Sequence, residues 1–514
     1  MERLLQKVWP SRPSSAYELL PTTHDPSNVD GREASNFHRK RRCCSRPFSP
    51  KWLLTSLIVL PTLGGLYVYS ASPVKPPTPT TPSPPTEPPV EQPDIVPDTG
   101  VSRPPPLYEK YNERERLLPQ HDLSLPYPDG SHAKFLWFAN HGSHFGWGNY
   151  MQETMLNAYM AYSGHRAYVF DNYTWEREGP DISEWNGKPI PARIPLSVFL
   201  SGPIVGGDMP NPDVPRAVSR QYFLDVCPED KRVVLDTQTV QEKLHPQPTV
   251  AEIVEHWVAE LRAIDSPCVE LAQSSPALFS YEITNTDRVL DVFPALSQSP
   301  ILANLGWSPL ILEGFSDNIE YFVSPSDLDE PPSTTSTSLA PLKGLLAIHV
   351  RRGDYETWCA NTYANSMSYT GFNSFPNLPD KYTPAQQPGS NTTAEDSARH
   401  CLPSIAQIVE RVLAVAGAHD SGITRVYVLT NGSRAWLAEL KAALSAARKW
   451  EHGVATSRDL ELSWEAKFVS EAVDMYVAQR AERFIGNGFS SLTSNIVLLR
   501  MHNADLDPMD THFW

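Results

Sequence analysis

Apolar and polar positions along this chain group into runs that read alternately as strand, turn and helix. Lys134-Phe-Leu-Trp-Phe-Ala139 is short and apolar enough for a buried strand. Met151, Met155, Ala158 and Ala161 keep one helical face, and His165-Arg-Ala-Tyr-Val-Phe170 predicts a second strand. Thr249 and Glu252 have capping-box spacing, and Ile253, Trp257 and Leu261 continue a buried stripe. Leu345 to Val350 reads as the central strand of a parallel sheet. Beyond it the pattern predicts helices over 402–416, 434–448 and 462–480 and strands at 425–430 and 484–485. A Gly-rich turn at 486–495 then precedes an apolar run at 496–499. Residues 355–400, rich in Asn, Ser, Pro and Tyr, read as a long loop. The alternation predicts an α/β protein of two Rossmann-like lobes, 131–338 and 339–514, with the boundary in the Ser/Pro/Asp/Thr-rich stretch between Phe322 and Leu342.

The first 130 residues follow a different pattern. Trp52 to Ala71 carries no charge over twenty residues, enough for a helix to cross about 30 Å of hydrocarbon. Six basic residues lie from Arg39 to Lys51, so the positive-inside rule places residues 1–51 in the cytosol and the rest in the lumen or outside. The span starts too late for a cleaved signal peptide and predicts a single-pass type II signal anchor. Cys43 and Cys44, at the membrane face, are candidates for palmitoylation or plain cytosolic thiols. From Pro73 to Pro106 come 14 of the 50 prolines, a composition that cannot pack a core, and residues 72–130 are expected to form an extended stem.

Composition narrows the function. A net charge of −16 and a pI near 5.4 argue against a nucleic-acid partner. Four cysteines lie beyond the span, Cys227, Cys268, Cys359 and Cys401. They predict two disulfides among three possible pairings, of which 227–268 and 359–401 each close a loop within one lobe. Three sequons, at Asn172, Asn391 and Asn431, fit a head in the lumen of the endoplasmic reticulum or Golgi.

The candidate chemistry lies where strands end. After Val350 come Arg351 and Arg352, planar forks suited to a pyrophosphate. Gly353 then lets the backbone turn, and Asp354 can orient an arginine or a sugar hydroxyl. In the second turn, Ser490, Ser491 and Thr493 stand at a helix start, presenting hydroxyls and N–H groups to an anion. In the first lobe the Gly146-Trp-Gly148 turn brings backbone near a ligand, and Asn149 and Glu153, four apart, share a helix face expected toward the cleft. His141 and His144 lack a third ligand nearby and read as loop histidines. Asp327-Leu-Asp329 and Asp505-Leu-Asp507, the strings a metal-dependent transferase would use, read as solvated turns.

His349-Val-Arg-Arg-Gly-Asp354 resembles the first motif of fucosyltransferases with an HxR(R) signature. Asp474-Met-Tyr and Arg483-Phe-Ile-Gly-Asn-Gly-Phe-Ser-Ser491 resemble the closing motif of protein O-fucosyltransferases. Gly146-Trp-Gly-Asn149 is similar to their Gly-Asn turn, and Arg193-Ile-Pro-Leu-Ser-Val-Phe199 to a segment of the thrombospondin-repeat branch. The resemblance spans about residues 134–514. It implies a GT-B fold and GDP-fucose as donor substrate, with no metal or other cofactor and a protein or glycan acceptor. It also implies Arg351 on the β-phosphate, with His349, Asp354 and Asp474 in the nucleotide pocket. Ser490, Ser491 and Thr493 would line the phosphates, and either Glu153 or Asn149 would serve as base. Arg352 and Gly148 complete the expected donor contacts. Leu492, where the family usually has phenylalanine, and the insertion after Asp354 are departures that bear on acceptor choice. The competing readings are a metal-dependent transferase of another donor, which EDTA would inhibit, and a nucleotide-sugar- or glycan-binding protein that binds donor without transfer.

Overall fold

The computed structural model describes residues 103–514 apart from 186–187, 325–339, 388–389 and 418–421. The cytosolic tail, the 52–71 span, Cys43, Cys44, most of the stem, the lobe linker and Asp327-Leu-Asp329 lie outside the described residues. No helix among the described residues is long and apolar enough to cross a membrane.

Order begins earlier than the proline pattern predicts. Pro106 to Arg116 form helix α1, with Tyr108 and Tyr111 buried, so the 106–130 stretch expected in the stem packs on the head. Proline at the first helical position needs no N–H partner, which is why the last proline of the run can start a helix. The Tyr108 hydroxyl donates to the Glu465 carbonyl in the second lobe at 2.8 Å, and Glu115 accepts from the Ser197 N–H at 3.0 Å in the first.

The first lobe is built on strands β1 (Phe135–Phe138), β2 (Ala167–Phe170), β3 (Val218–Ser219), β4 (Val233–Leu235) and β5 (Cys268–Leu271). They pair in parallel in the order β3-β2-β1-β5-β4. Between β1 and β2 runs α2 (Trp147–Ser163), nearly all of it buried. Helix α3 (Val250–Arg262) starts on the anticipated capping box and buries Ile253, Trp257 and Leu261.

The second lobe opens with β6 (Leu342–Val350) and continues through α4 (Tyr355–Ala364), α5 (Ala394–Cys401), α6 (Ile405–Ala416), β7 (Arg425–Thr430) and α7 (Arg434–Ala447). It closes with β8 (Val454–Thr456), α8 (Ser470–Ala478), β9 (Ala481–Gly486), α9 (Ser491–His502) and β10 (Thr511–Phe513). These strands too are all parallel, in the order β8-β7-β6-β9-β10. The loop expected at 355–400 holds two helices, and the helix expected at 462–480 is two, Trp464–Lys467 and α8. The structure forms the Cys227–Cys268 and Cys359–Cys401 disulfides, the second joining α4 to the end of α5.

Along β6 the side chains alternate between two apolar clusters. Leu346, Ile348 and Val350 pack with α6 and α7, whereas Leu345 and Ala347 join a core that runs without interruption into the first lobe through Leu136, Met151 and Phe199. The two lobes therefore share one apolar core.

Candidate active site

In the second sheet the chain order runs from β6 outward through β7 to β8, then returns to the other side of β6 for β9 and β10. The crevice outside the carboxyl ends of β6 and β9 is thus the topological switch point, where open α/β sheets bind ligands. Arg351 to Asp354 leave the first of these strands and Asn487 to Ser491 leave the second.

Gly353 has φ +65°, a left-handed turn that folds Asp354 back toward the preceding arginine. Arg351 Nη2 meets Asp354 Oδ2 at 2.5 Å, and the guanidinium lies over the Tyr355 ring, 4.8 Å from its centroid. Arg351 Nε is buried without a protein partner, although the side chain as a whole keeps 25% of its surface exposed. Arg352 leaves on the other side, as strand alternation predicts. It donates to the Arg351 and Pro403 carbonyls and stacks 4.2 Å over Trp436, and burial lowers its pKa to about 10. One arginine retains an unsatisfied donor at the crevice; the other is engaged by its own fold.

The second turn is held from several sides. Asn487 Nδ2 donates to the Cys401 carbonyl at 2.7 Å, and Asn373 Nδ2 donates to the Gly488 and Ser490 carbonyls. Thr493 Oγ1 accepts from the Asn487 N–H and lies 2.7 Å from His349 Nδ1. Burial, then the neighbouring Arg351 charge, pushes the His349 pKa down to about 3, so this imidazole is neutral. Ser490 occupies the N-cap position of α9, yet its side chain makes no capping bond; Ser491 is half-buried. The first turn of α9 thereby offers N–H groups and hydroxyls at the switch point.

Gly148 brings the first lobe to the same place. A Cβ there would come within 2.7 Å of both Ser491 Oγ and Leu492 N, so only glycine lets α2 and α9 touch at their amino ends. Asn495 Nδ2 donates to the Gly148 carbonyl at 2.6 Å, and Gln152 Nε2 donates to Ser494 Oγ at 3.1 Å. Asn149 follows directly, half-buried, its amide oxygen without a protein partner.

Two expected site residues stand elsewhere. Glu153 shares a helix face with Asn149 but is 3% exposed, and both its oxygens accept from the Gly142 N–H at 3.1 Å, beneath the turn after β1. Burial raises its pKa to about 7, opposed by the Gly142 N–H and the Arg177 charge. It is not a carboxylate on an open cleft wall. Asp474, expected to contact donor, accepts from the Tyr427 hydroxyl at 2.5 Å and from Ser457 Oγ at 2.8 Å. With both oxygens taken and burial raising its pKa to about 6, it braces the turn after β8 against β7.

The sequence reading missed Asn487, Tyr355 and Trp514, whose indole N–H donates to the His349 carbonyl at 2.8 Å. The signal for Trp514 was the aromatic pair Phe513-Trp514 after a polar turn. Among the described residues no group of three His, Cys, Asp or Glu side chains is placed to hold a metal ion.

Residues 294–503 match the family model described as GDP-fucose protein O-fucosyltransferase. The match takes in Arg351 to Asp354, Asp474 and Ser490 to Thr493, and leaves out Gly148, Asn149 and Glu153. No curated protein matches the chain. Among solved structures, POFUT1 in complex with GDP-fucose is 14% identical, covering 74% of this chain and 98% of its own, with a TM-score of 0.45. NodZ alpha-1,6-fucosyltransferase soaked with GDP-fucose is 12% identical, covering 71% of this chain and 92% of its own, with a TM-score of 0.35. Over its 294–503 segment, about two fifths of its length, the chain is thus similar to the GDP-fucose protein O-fucosyltransferase family, and that likeness supports a glycosyltransferase.

Proposed function

We propose that the protein is a GT-B-type enzyme that transfers fucose from GDP-fucose, with inversion and without a metal, to a hydroxyl of a Ser or Thr in a secretory-pathway protein. The observation that carries this reading is the convergence at one switch point of Arg351, whose buried Nε has no partner, with the first turn of α9 and its Ser490 and Ser491 hydroxyls. Breaking the sugar–phosphate bond builds negative charge on the leaving diphosphate, and a fixed guanidinium with helix N–H groups stabilises that charge where it forms. His349, held neutral, adds no competing cation and ties the α9 start to β6 through Thr493. Asn149, beside the α2–α9 contact, orients the acceptor hydroxyl in this reading. Glu153 receives the proton once the turn at 141–146 moves aside. The two disulfides suit the oxidising compartment that a type II anchor at 52–71 would place the head in.

Calorimetry with GDP, UDP and CMP in the presence of EDTA tests the donor half of the reading. GDP binding in EDTA, tighter than UDP or CMP, is expected; equal affinity for the three, or binding lost with EDTA, would sink it.

A further inference from the structure

Asn431 heads the sequon Asn431-Gly432-Ser433, and sequence alone reads it as a place for a glycan. In the structure its amide is engaged on three sides. Oδ1 accepts from the Arg352 N–H at 2.8 Å, while Nδ2 donates to the Arg352 carbonyl and to Asp354 Oδ1, each at 2.9 Å. A backbone N–H can only donate and a carbonyl only accept, so the orientation of the amide is chemically forced. Both hydrogens of Nδ2 are used.

The position explains the fit. Val350 and Thr430 are the last register partners of β6 and β7, so Asn431 stands one residue beyond the paired ends. Its side chain continues the ladder across the Arg351–Asp354 turn where no strand backbone remains. Asp354 passes the constraint on, because Oδ1 faces Asn431 while Oδ2 holds Arg351 Nη2.

We propose that Asn431 is a positioning residue for the donor-phosphate clamp, fixing the Arg351 guanidinium through Asp354, and that its sequon is unused in the active enzyme. This rests on the donor-site reading above. A glycan would replace one hydrogen on Nδ2 and leave a single donor for two acceptors, releasing either the Arg352 carbonyl or Asp354. Asn391 is an exposed alternative for modification.

The test follows GDP release from GDP-fucose by the full chain, with GDP affinity measured separately by calorimetry. Asn431→Ala should lose roughly 10- to 100-fold in kcat, the range for loss of a group that orients a site residue, with KM for donor within about threefold. The double variant Asn431→Ala/Asp354→Asn should be no worse than the poorer single variant by more than about twofold, since both act through one guanidinium. Ser433→Asn destroys the sequon but keeps the Asn431 amide and a capping side chain for α7, and should stay within about twofold of the parent. Should Asn431→Ala fail to fold, Asn431→Ser, too short to span the three contacts, gives the same reading. Three results would each overturn the proposal: kcat of Asn431→Ala within about twofold of the parent, losses that multiply in the double variant, or a glycan on Asn431 found by mass spectrometry in active enzyme. If the parent binds GDP and only the Asn431 results fail, the donor-site reading stands; if the parent does not bind GDP, that reading fails first.

Discussion

Replacing Glu153 by glutamine removes a carboxyl whose ionisation the fold opposes. Burial raises its pKa from 4.5 to about 7. That gap of about 2.5 pH units corresponds to ~3 kcal/mol at about 1.4 kcal/mol per unit. The sign follows from where the proton sits. Below the unfolded value both states hold it and nothing is lost; as pH rises from there to the folded value the unfolded chain ionises while the buried carboxyl keeps its proton, so the wild type gives up that stability, and the loss is complete once pH has passed the folded value. Glutamine never ionises. It keeps an oxygen for the Gly142 N–H and introduces a constant penalty for its extra N–H groups, about 1–3 kcal/mol, which cancels between pH values. The stability of Glu153→Gln relative to the parent should therefore improve by up to ~3 kcal/mol between pH 5 and pH 8, read as the difference in denaturant unfolding at the two pH values. A difference constant within about 0.5 kcal/mol would refute the burial argument. The same titration should appear as a limb near pH 7 in kcat/KM if Glu153 takes the acceptor proton, and vanish in the variant.

Arg351→Lys keeps the charge and loses the fork; it should fold, retain GDP binding and lose roughly 10²-fold in turnover, and a change within about twofold would falsify the phosphate-clamp assignment. Gly148→Ala forces a methyl into Ser491 and Leu492, so melting should fall by about 1–3 kcal/mol with weakened GDP affinity; an unchanged melt would mean α2 and α9 do not touch in solution. Trp514→Phe removes the indole donor from the His349 carbonyl inside a packed cluster and should destabilise by about 1–3 kcal/mol, checked by urea unfolding, with no effect expected if that carbonyl finds water instead.

Much of this architecture was legible because strand and helix runs here are long, apolar and bounded by glycine. The β6 run and its Arg-Arg-Gly-Asp ending showed both the strand and the place where chemistry could sit. What stayed hidden depended on partners far along the chain. Asp474 reads as a free carboxylate until Tyr427 and Ser457, 47 and 17 residues away, take its oxygens. Glu153 reads as cleft-facing until the Gly142 N–H claims it. The 355–400 stretch has a loop's composition, yet α5 begins on a Thr393–Asp396 capping box and is tied by a disulfide to α4, two local devices that outweigh weak propensity.

Helix α1 makes its bonds on opposite sides of the crevice, Tyr108 to Glu465 and Glu115 to Ser197. A clamshell opening would have to tear at least one end of this tie-bar, and would also pull α2 from α9 at Gly148 and split a common apolar core. Traffic of nucleotide in and out must then rely on smaller movements at the rim, such as the turn at 141–146, while the frame and the pinned 351–354 turn stay in place. Hydrogen exchange would show this as slow, unchanged amides in α1 and α2 with and without GDP, beside rim amides that respond to it.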